Sequence, residues 1–123
     1  SIAVNNMKDL YEKAEKAIYT EGPTFLNVMA PCPRGWGYAT EDLMKINKLA
    51  ADTCYWPLYE VVDGKYHITY KPVKKLPVEE FLRPQKRFKH MFKPGNEWMI
   101  EEFQKEVDKR WNELLELEEI TNK

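Results

Sequence analysis

The sequence predicts an α/β fold. Three observations carry that reading: a helix-spaced apolar stripe that stops at Gly22-Pro23 and is followed by a short apolar run, an Asp63-Gly64 turn between two strand-like runs, and a long heptad-like stripe at the end of the chain. A short parallel-sheet strand, a β-hairpin, flanking helices and a long C-terminal helix are therefore expected within 123 residues, a length that suits one domain.

The first helix is read from Met7, Leu10, Tyr11, Ala14, Ala17 and Ile18, which recur on one helical face. Asn5 or Asn6 caps its start and Gly22-Pro23 ends it. The run Thr24–Ala30 is short, apolar and partly β-branched or aromatic, which predicts a buried strand. Pro31-Cys32-Pro33-Arg34-Gly35-Trp36-Gly37-Tyr38 follows, and its two prolines and two glycines predict an ordered loop. Thr40 caps a second helix whose packing face is Leu43, Ile46, Leu49, Ala50 and Thr53.

Residues 56–62 and 65–70 read as strands joined by a type I′ turn. A two-residue turn sets the register: Val62 opposite Lys65, Val61 opposite Tyr66, Glu60 opposite His67, and Tyr59 opposite Ile68. Tyr59, Val61, Tyr66 and Ile68 then form the face expected to be buried. Residues 71–94 are basic and irregular, with a short helix over 78–82, and read as a strap against an acidic partner subunit. From Asn96 a helix carries the stripe Ile100, Phe103, Val107, Trp111, Leu114 and Leu117, with glutamates on its other side.

Composition narrows the function. Hydrophobic residues make up 43% and charged residues 32%, so the chain is not a low-complexity polymer. Nineteen Lys and Arg balance twenty Asp and Glu, which argues against nucleic acid and against a lipid surface as partners. No apolar run approaches a membrane span, and the first residues do not resemble a signal peptide, so a cytoplasmic location is expected. Two cysteines do not make a disulfide framework.

Few constellations carry chemistry. No phosphate loop and no zinc-spaced His or Cys pair is present. His67 opposite Glu60 reads as an exposed cross-strand pair. Cys54 reads as core. Cys32 follows the end of a predicted strand, where ligands gather in open α/β sheets. Pro31 and Pro33 stiffen the backbone around it and bring no N–H donors. By spacing alone it is either a small buried hydrophobe or a presented thiolate.

Residues 25–36, Phe-Leu-Asn-Val-Met-Ala-Pro-Cys-Pro-Arg-Gly-Trp, resemble a late segment of the β subunit of the pyruvate:ferredoxin oxidoreductase (pyruvate synthase) family. The likeness continues in Trp56-Pro57-Leu58-Tyr59-Glu60, in Lys71-Pro72, and through residues 77–88. The resemblance implies the C-terminal part of a thiamine-diphosphate-binding fold, with residues 1–70 completing that domain and residues 71–123 forming a C-terminal extension. It implies oxidative decarboxylation of pyruvate to acetyl-CoA, using thiamine diphosphate with Mg2+ and passing electrons through [4Fe–4S] clusters to ferredoxin. It also implies that Cys32 is the fourth thiolate of one cluster, the other three lying earlier in such a subunit. The family's Cys-x-x-Cys loop and Gly-Asp-Gly motif are not in this sequence. The chain alone is therefore expected to bind no cofactor and to be inactive. Its expected partners are the rest of the β subunit, the other subunits, ferredoxin, pyruvate and coenzyme A, in an oligomer. The alternative is a non-catalytic interaction module that keeps the scaffold.

Overall fold

The computed structural model describes residues 1–123. Helix α1 spans Met7–Tyr19, a single turn α2 spans Pro33–Trp36, and α3 spans Leu43–Asp52. Strands β1 (Leu58–Val62) and β2 (Lys65–Tyr70) form the hairpin, followed by α4 (Glu79–Leu82) and the 25-residue α5 (Glu97–Thr121). Two 3-10 turns, Thr40–Asp42 and Lys86–Phe92, link these elements. The fold is mixed α/β, as expected, and no helix is long and apolar enough to cross a membrane.

The hairpin follows its turn chemistry. Asp63 and Gly64 both take positive φ, +51° and +75°, the requirement of a type I′ turn. The register is the one read from the sequence, with an irregularity at Leu58/Tyr59 where β1 begins, two residues later than expected. Both edges are protected by other parts of the chain. On the β2 edge, the Tyr66 N–H donates to Thr121 Oγ1 (2.9 Å) and the Ile68 N–H to Glu118 Oε1 (2.7 Å). On the β1 edge, the Ser1 amine donates to Tyr59 O (2.8 Å). Free strand edges invite association, so helix α5 closes one and the first residues close part of the other. The face expected to be buried is only half-buried: Tyr59 stacks on Tyr66 at 6.0 Å, and Val61 is exposed.

The core lies between α3, α4, β1 and α5. Ile46, Ala50, Cys54, Leu58, Val78, Phe81, Leu82 and Val107 pack there. Tyr55 stacks on Phe81 at 4.5 Å and on Phe103 at 5.9 Å, which ties α4 to α5. Helix α3 presents much of the face expected of it, with Leu49 only partly buried. Thr40 does not cap it: Thr40 opens the 3-10 turn and α3 starts at Leu43 without a side-chain cap.

Helix α1 departs from expectation. Asn6 caps it through the Asp9 N–H, but its apolar stripe is not buried: Leu10, Ala14 and Ala17 are half-buried, and Met7, Tyr11 and Ile18 are exposed, Tyr11 by 64% and Ile18 by 76%. Asp9 and Lys13 are buried instead. Lys13 Nζ donates to Asp9 Oδ2 (2.7 Å), Ser1 O (2.8 Å) and Thr69 Oγ1 (2.8 Å), so all three ammonium hydrogens are satisfied. That polar network binds α1 to the hairpin and leaves Tyr11 and Ile18 on the outer side.

The run 24–30 is not a buried strand. It makes one parallel bridge, Val28 with Ile2, and Phe25 is 87% exposed. Only Met29 within it is buried, because the sole neighbouring strand is the short Ile2 segment. Residues 71–94 are more ordered than expected: α4 runs from Glu79 with Val78 as its N-cap, and the 3-10 turn Lys86–Phe92 follows. Of the α5 stripe, Val107 and Leu114 are buried while Leu117 stays exposed.

Candidate functional site

The site is the turn that carries Cys32. Residues 31–38 are not purely a loop: Cys32 is the N-cap of α2, and Pro33 occupies its first position, where a missing N–H costs nothing. The Trp36 N–H donates to Cys32 O (2.8 Å) and the Gly37 N–H to Pro33 O (2.9 Å), closing the turn. Gly37 ends it in the left-handed region, φ +75°. Tyr38 folds back so that its hydroxyl donates to Pro31 O at 2.8 Å.

Within this frame the Cys32 thiol is exposed, and its Sγ accepts the Gly35 N–H at 3.3 Å. A backbone N–H aimed at sulfur stabilises negative charge there, whether on a free thiolate or on a metal-bound one. Tyr38 lies close enough to feel the sulfur: its hydroxyl pKa is pushed up by burial first and by negative charge on Cys32 second.

One segment, residues 85–87, holds the turn. The Lys86 N–H donates to Gly37 O at 2.9 Å. The Arg87 guanidinium lies over the Trp36 ring at 3.8 Å and over Phe88 at 4.4 Å, with its Nε donating to Gln85 Oε1 at 2.7 Å. Burial lowers the Arg87 pKa, and the neighbouring Tyr55 opposes that shift. The basic stretch expected to be a strap for a partner thus turns two of its cations onto the chain's own rings, Arg83 over Phe92 at 4.5 Å being the other. Lys86, Lys89 and Lys93 remain exposed. Sequence reasoning missed Tyr38, Gly37 and Arg87 as supports of the turn. The signal for Gly37 was available in its place just past a helical turn, whereas an Arg–Trp pair 51 positions apart has none.

No group of three or more His, Cys, Asp or Glu side chains could hold a metal ion. Cys54 is buried in the core at φ +60°, and burial pushes its thiol up to about 11, the opposite of a reactive thiolate. His67 faces Glu60 across the hairpin, and Glu60 is engaged by Lys16 at 2.6 Å. An exposed thiol with an N–H on its sulfur fits one donor of a shared iron–sulfur set.

No protein-family model matches the chain. Pyruvate synthase subunit PorB of Thermotoga maritima is 46% identical over 114 residues, covering 92% of this chain and 35% of that subunit. The subunit of the same name from Methanosarcina barkeri is 44% identical over 106 residues, 85% of this chain and 35% of that one. Ketoisovalerate oxidoreductase subunit VorB of Pyrococcus furiosus is 42% identical over 115 residues, covering 92% of this chain and 36% of that subunit. The chain spans about a third of the length of the curated relatives it matches. The chain belongs to the family of the pyruvate synthase PorB and ketoisovalerate oxidoreductase VorB subunits, as a C-terminal segment of such a subunit.

Proposed function

We propose that this chain serves in the oxidative decarboxylation of pyruvate to acetyl-CoA, as the part of a cytoplasmic pyruvate:ferredoxin oxidoreductase β subunit that supplies Cys32 to a [4Fe–4S] cluster. The observation that carries this is the exposed Cys32 sulfur, presented by a proline-flanked turn and already receiving the Gly35 N–H. Three further thiolates and the ligands of thiamine diphosphate and Mg2+ come from the rest of the subunit, so this segment alone is inactive. When bound, thiamine diphosphate supplies the electron sink for decarboxylation and the cluster carries single electrons toward ferredoxin. This chain's own part is to fix one sulfur: Pro31 and Pro33 restrict its backbone, Gly35 holds it by hydrogen bond, and Arg87 with Lys86 brace the turn. The division of the chain into a domain part, 1–70, and an extension, 71–123, fits the same role.

The test is Cys32→Ser in the complete enzyme. Iron should fall by about four atoms per β subunit, as loss of one [4Fe–4S] cluster requires, with the loss of one cluster signal by EPR. Ferredoxin reduction should fall with it, while bound thiamine diphosphate is retained. Unchanged iron and an unchanged EPR spectrum would refute the assignment. A second substrate, 2-oxoisovalerate, is favoured by the VorB likeness, at 42% identity over 92% of the chain. Comparing kcat/KM for the two acids decides between them.

A further inference from the structure

Two unpaired backbone edges face each other across a groove beside α1. On one side, Asn27 O and the Met29 N–H are bonded to Ile2, at 2.8 and 2.9 Å. Main-chain groups two residues apart in a strand point the same way, so Phe25 O and the Asn27 N–H belong to the same edge, and neither carries a hydrogen bond. On the other side stands β1. Its pairs Glu60–His67 and Val62–Lys65 bond toward β2, while Tyr59 and Val61 turn their N–H and C=O groups to the opposite edge. Ser1 takes up both Tyr59 groups, by its amine to Tyr59 O and by its Oγ from the Tyr59 N–H (3.1 Å). The Val61 groups, one step further along that edge, have no partner.

Between these edges lies a groove of about 530 Å3, lined by residues 25–27, by β1 and by Lys13, Lys16 and Thr20 of α1, where Lys16 pairs with Glu60. Its closed end is one strand wide, because Ser1 and Ile2 fill it while bonding alternately to the two walls. Sheet strands stand about 4.8 Å apart, so a slot one strand wide between two such edges is shaped for one more extended backbone. Phe25, Leu26, Val61 and Val62 are all exposed along it.

We propose that this groove takes an extended strand from the remaining two thirds of the same subunit, laid in line with Ser1–Ala3, parallel to residues 25–29 and antiparallel to β1. Its alternate residues bond to Phe25 O with the Asn27 N–H, and to the two Val61 groups. The walls then become a four-stranded mixed sheet: residues 25–29, the added strand, β1 and β2. Pairing by main-chain bonds on both edges is the physics of β-strand addition. The occupant belongs to the same subunit because the groove continues the line that Ser1–Ala3 already occupies, and because relatives in this family are about three times as long. The inference rests on the chain being part of such a subunit and not on Cys32 holding iron.

Hydrogen exchange on the complete enzyme, with residue-level readout, tests it alongside a cryo-EM structure of the same particle. The Asn27 and Val61 amides should exchange at least about 100-fold more slowly than the Gly64 amide in the hairpin turn. The density should show a strand of the β subunit bonded to both walls. Protection should persist in the Cys32→Ser enzyme, which separates this inference from the cluster assignment. Fast exchange at Val61 and Asn27, or a groove filled by another subunit, by a second copy of this segment or by side chains alone, would overturn it.

Discussion

Replacing Gly37 with alanine tests whether residues 85–87 hold the Cys32 turn. Gly37 sits at φ +75°, and a Cβ built there lies 2.7 Å from Lys86 Cβ and 3.4 Å from Lys86 Cα and N. Those atoms are fixed to the backbone, and the Lys86 N–H is bonded to Gly37 O, so neither side can swing away. Two costs add. An L-residue in the left-handed region costs about 1–2 kcal/mol, and forcing a methyl into a filled contact costs about 1–3 kcal/mol more. Gly64 supplies the control: its φ is also +75°, but nothing lies within 4 Å of an added Cβ. Gly64→Ala therefore carries the conformational cost alone, and Gly37→Ala should be the more destabilising by roughly 1–3 kcal/mol. Urea unfolding of the two variants measures the difference as a shift in midpoint at constant slope. Every kcal/mol lowers the thermal midpoint by roughly 4 °C for a chain of this size. Equal loss in the two variants, within about 0.5 kcal/mol, would refute the close packing of turn and strap.

Lys13→Met leaves Asp9 buried without its partner and should cost about 3–5 kcal/mol, and the double change with Asp9→Leu should recover much of it, both read from denaturant midpoints. Glu118 is held below the usual carboxylate range by Lys71 first, helped by the Ile68 N–H against the opposing effect of burial. A depressed folded pKa makes its stabilising effect complete above the unfolded value near ~4.3 and lost as pH falls through the folded value. Glu118→Gln keeps an acceptor for Ile68 and should flatten the acid side of the stability–pH curve; an unchanged slope below pH 4 would count against the pair. On the exposed stripe of α1, Tyr11→Ser and Ile18→Ser should shift the stability of this segment by less than about 0.5 kcal/mol. The same changes should reduce recovery of the assembled enzyme by size-exclusion chromatography, and normal assembly would show that the stripe faces solvent there too.

What the sequence made legible was local. Asp63-Gly64 determined the hairpin register because a two-residue turn leaves one pairing open to it, and Asn6 capped α1 because an Asx side chain and the N–H three residues on need no other element. Cys54 as core was legible from its apolar neighbours. The face of α1 was not, although its stripe is well formed. The side that packs is decided by Lys13 reaching Ser1 and Thr69, contacts across 12 and 56 positions that no periodicity encodes. The basic strap misled for a related reason: charge run along the sequence says nothing of the Trp36 ring beneath Arg87.

The candidate site divides the same way. Proline, cysteine and glycine within six residues predict a stiff, ordered turn, and the structure has one. They do not choose between a buried and a presented sulfur; the outward thiol and the Gly35 N–H on it come from the fold. They also do not say what stands around that sulfur, where the chain gathers no group of three or more His, Cys, Asp or Glu side chains. An apolar stripe or a run such as Thr24–Ala30 records that a surface is to be covered, and leaves open by what. Here the structure narrows the question further than the pattern does, because unpaired main-chain groups have direction. Phe25 O, the Asn27 N–H and both Val61 groups point into one groove. An extended backbone satisfies both walls at once, whereas the α1 stripe, having no such directional groups, accepts any apolar partner of the right shape.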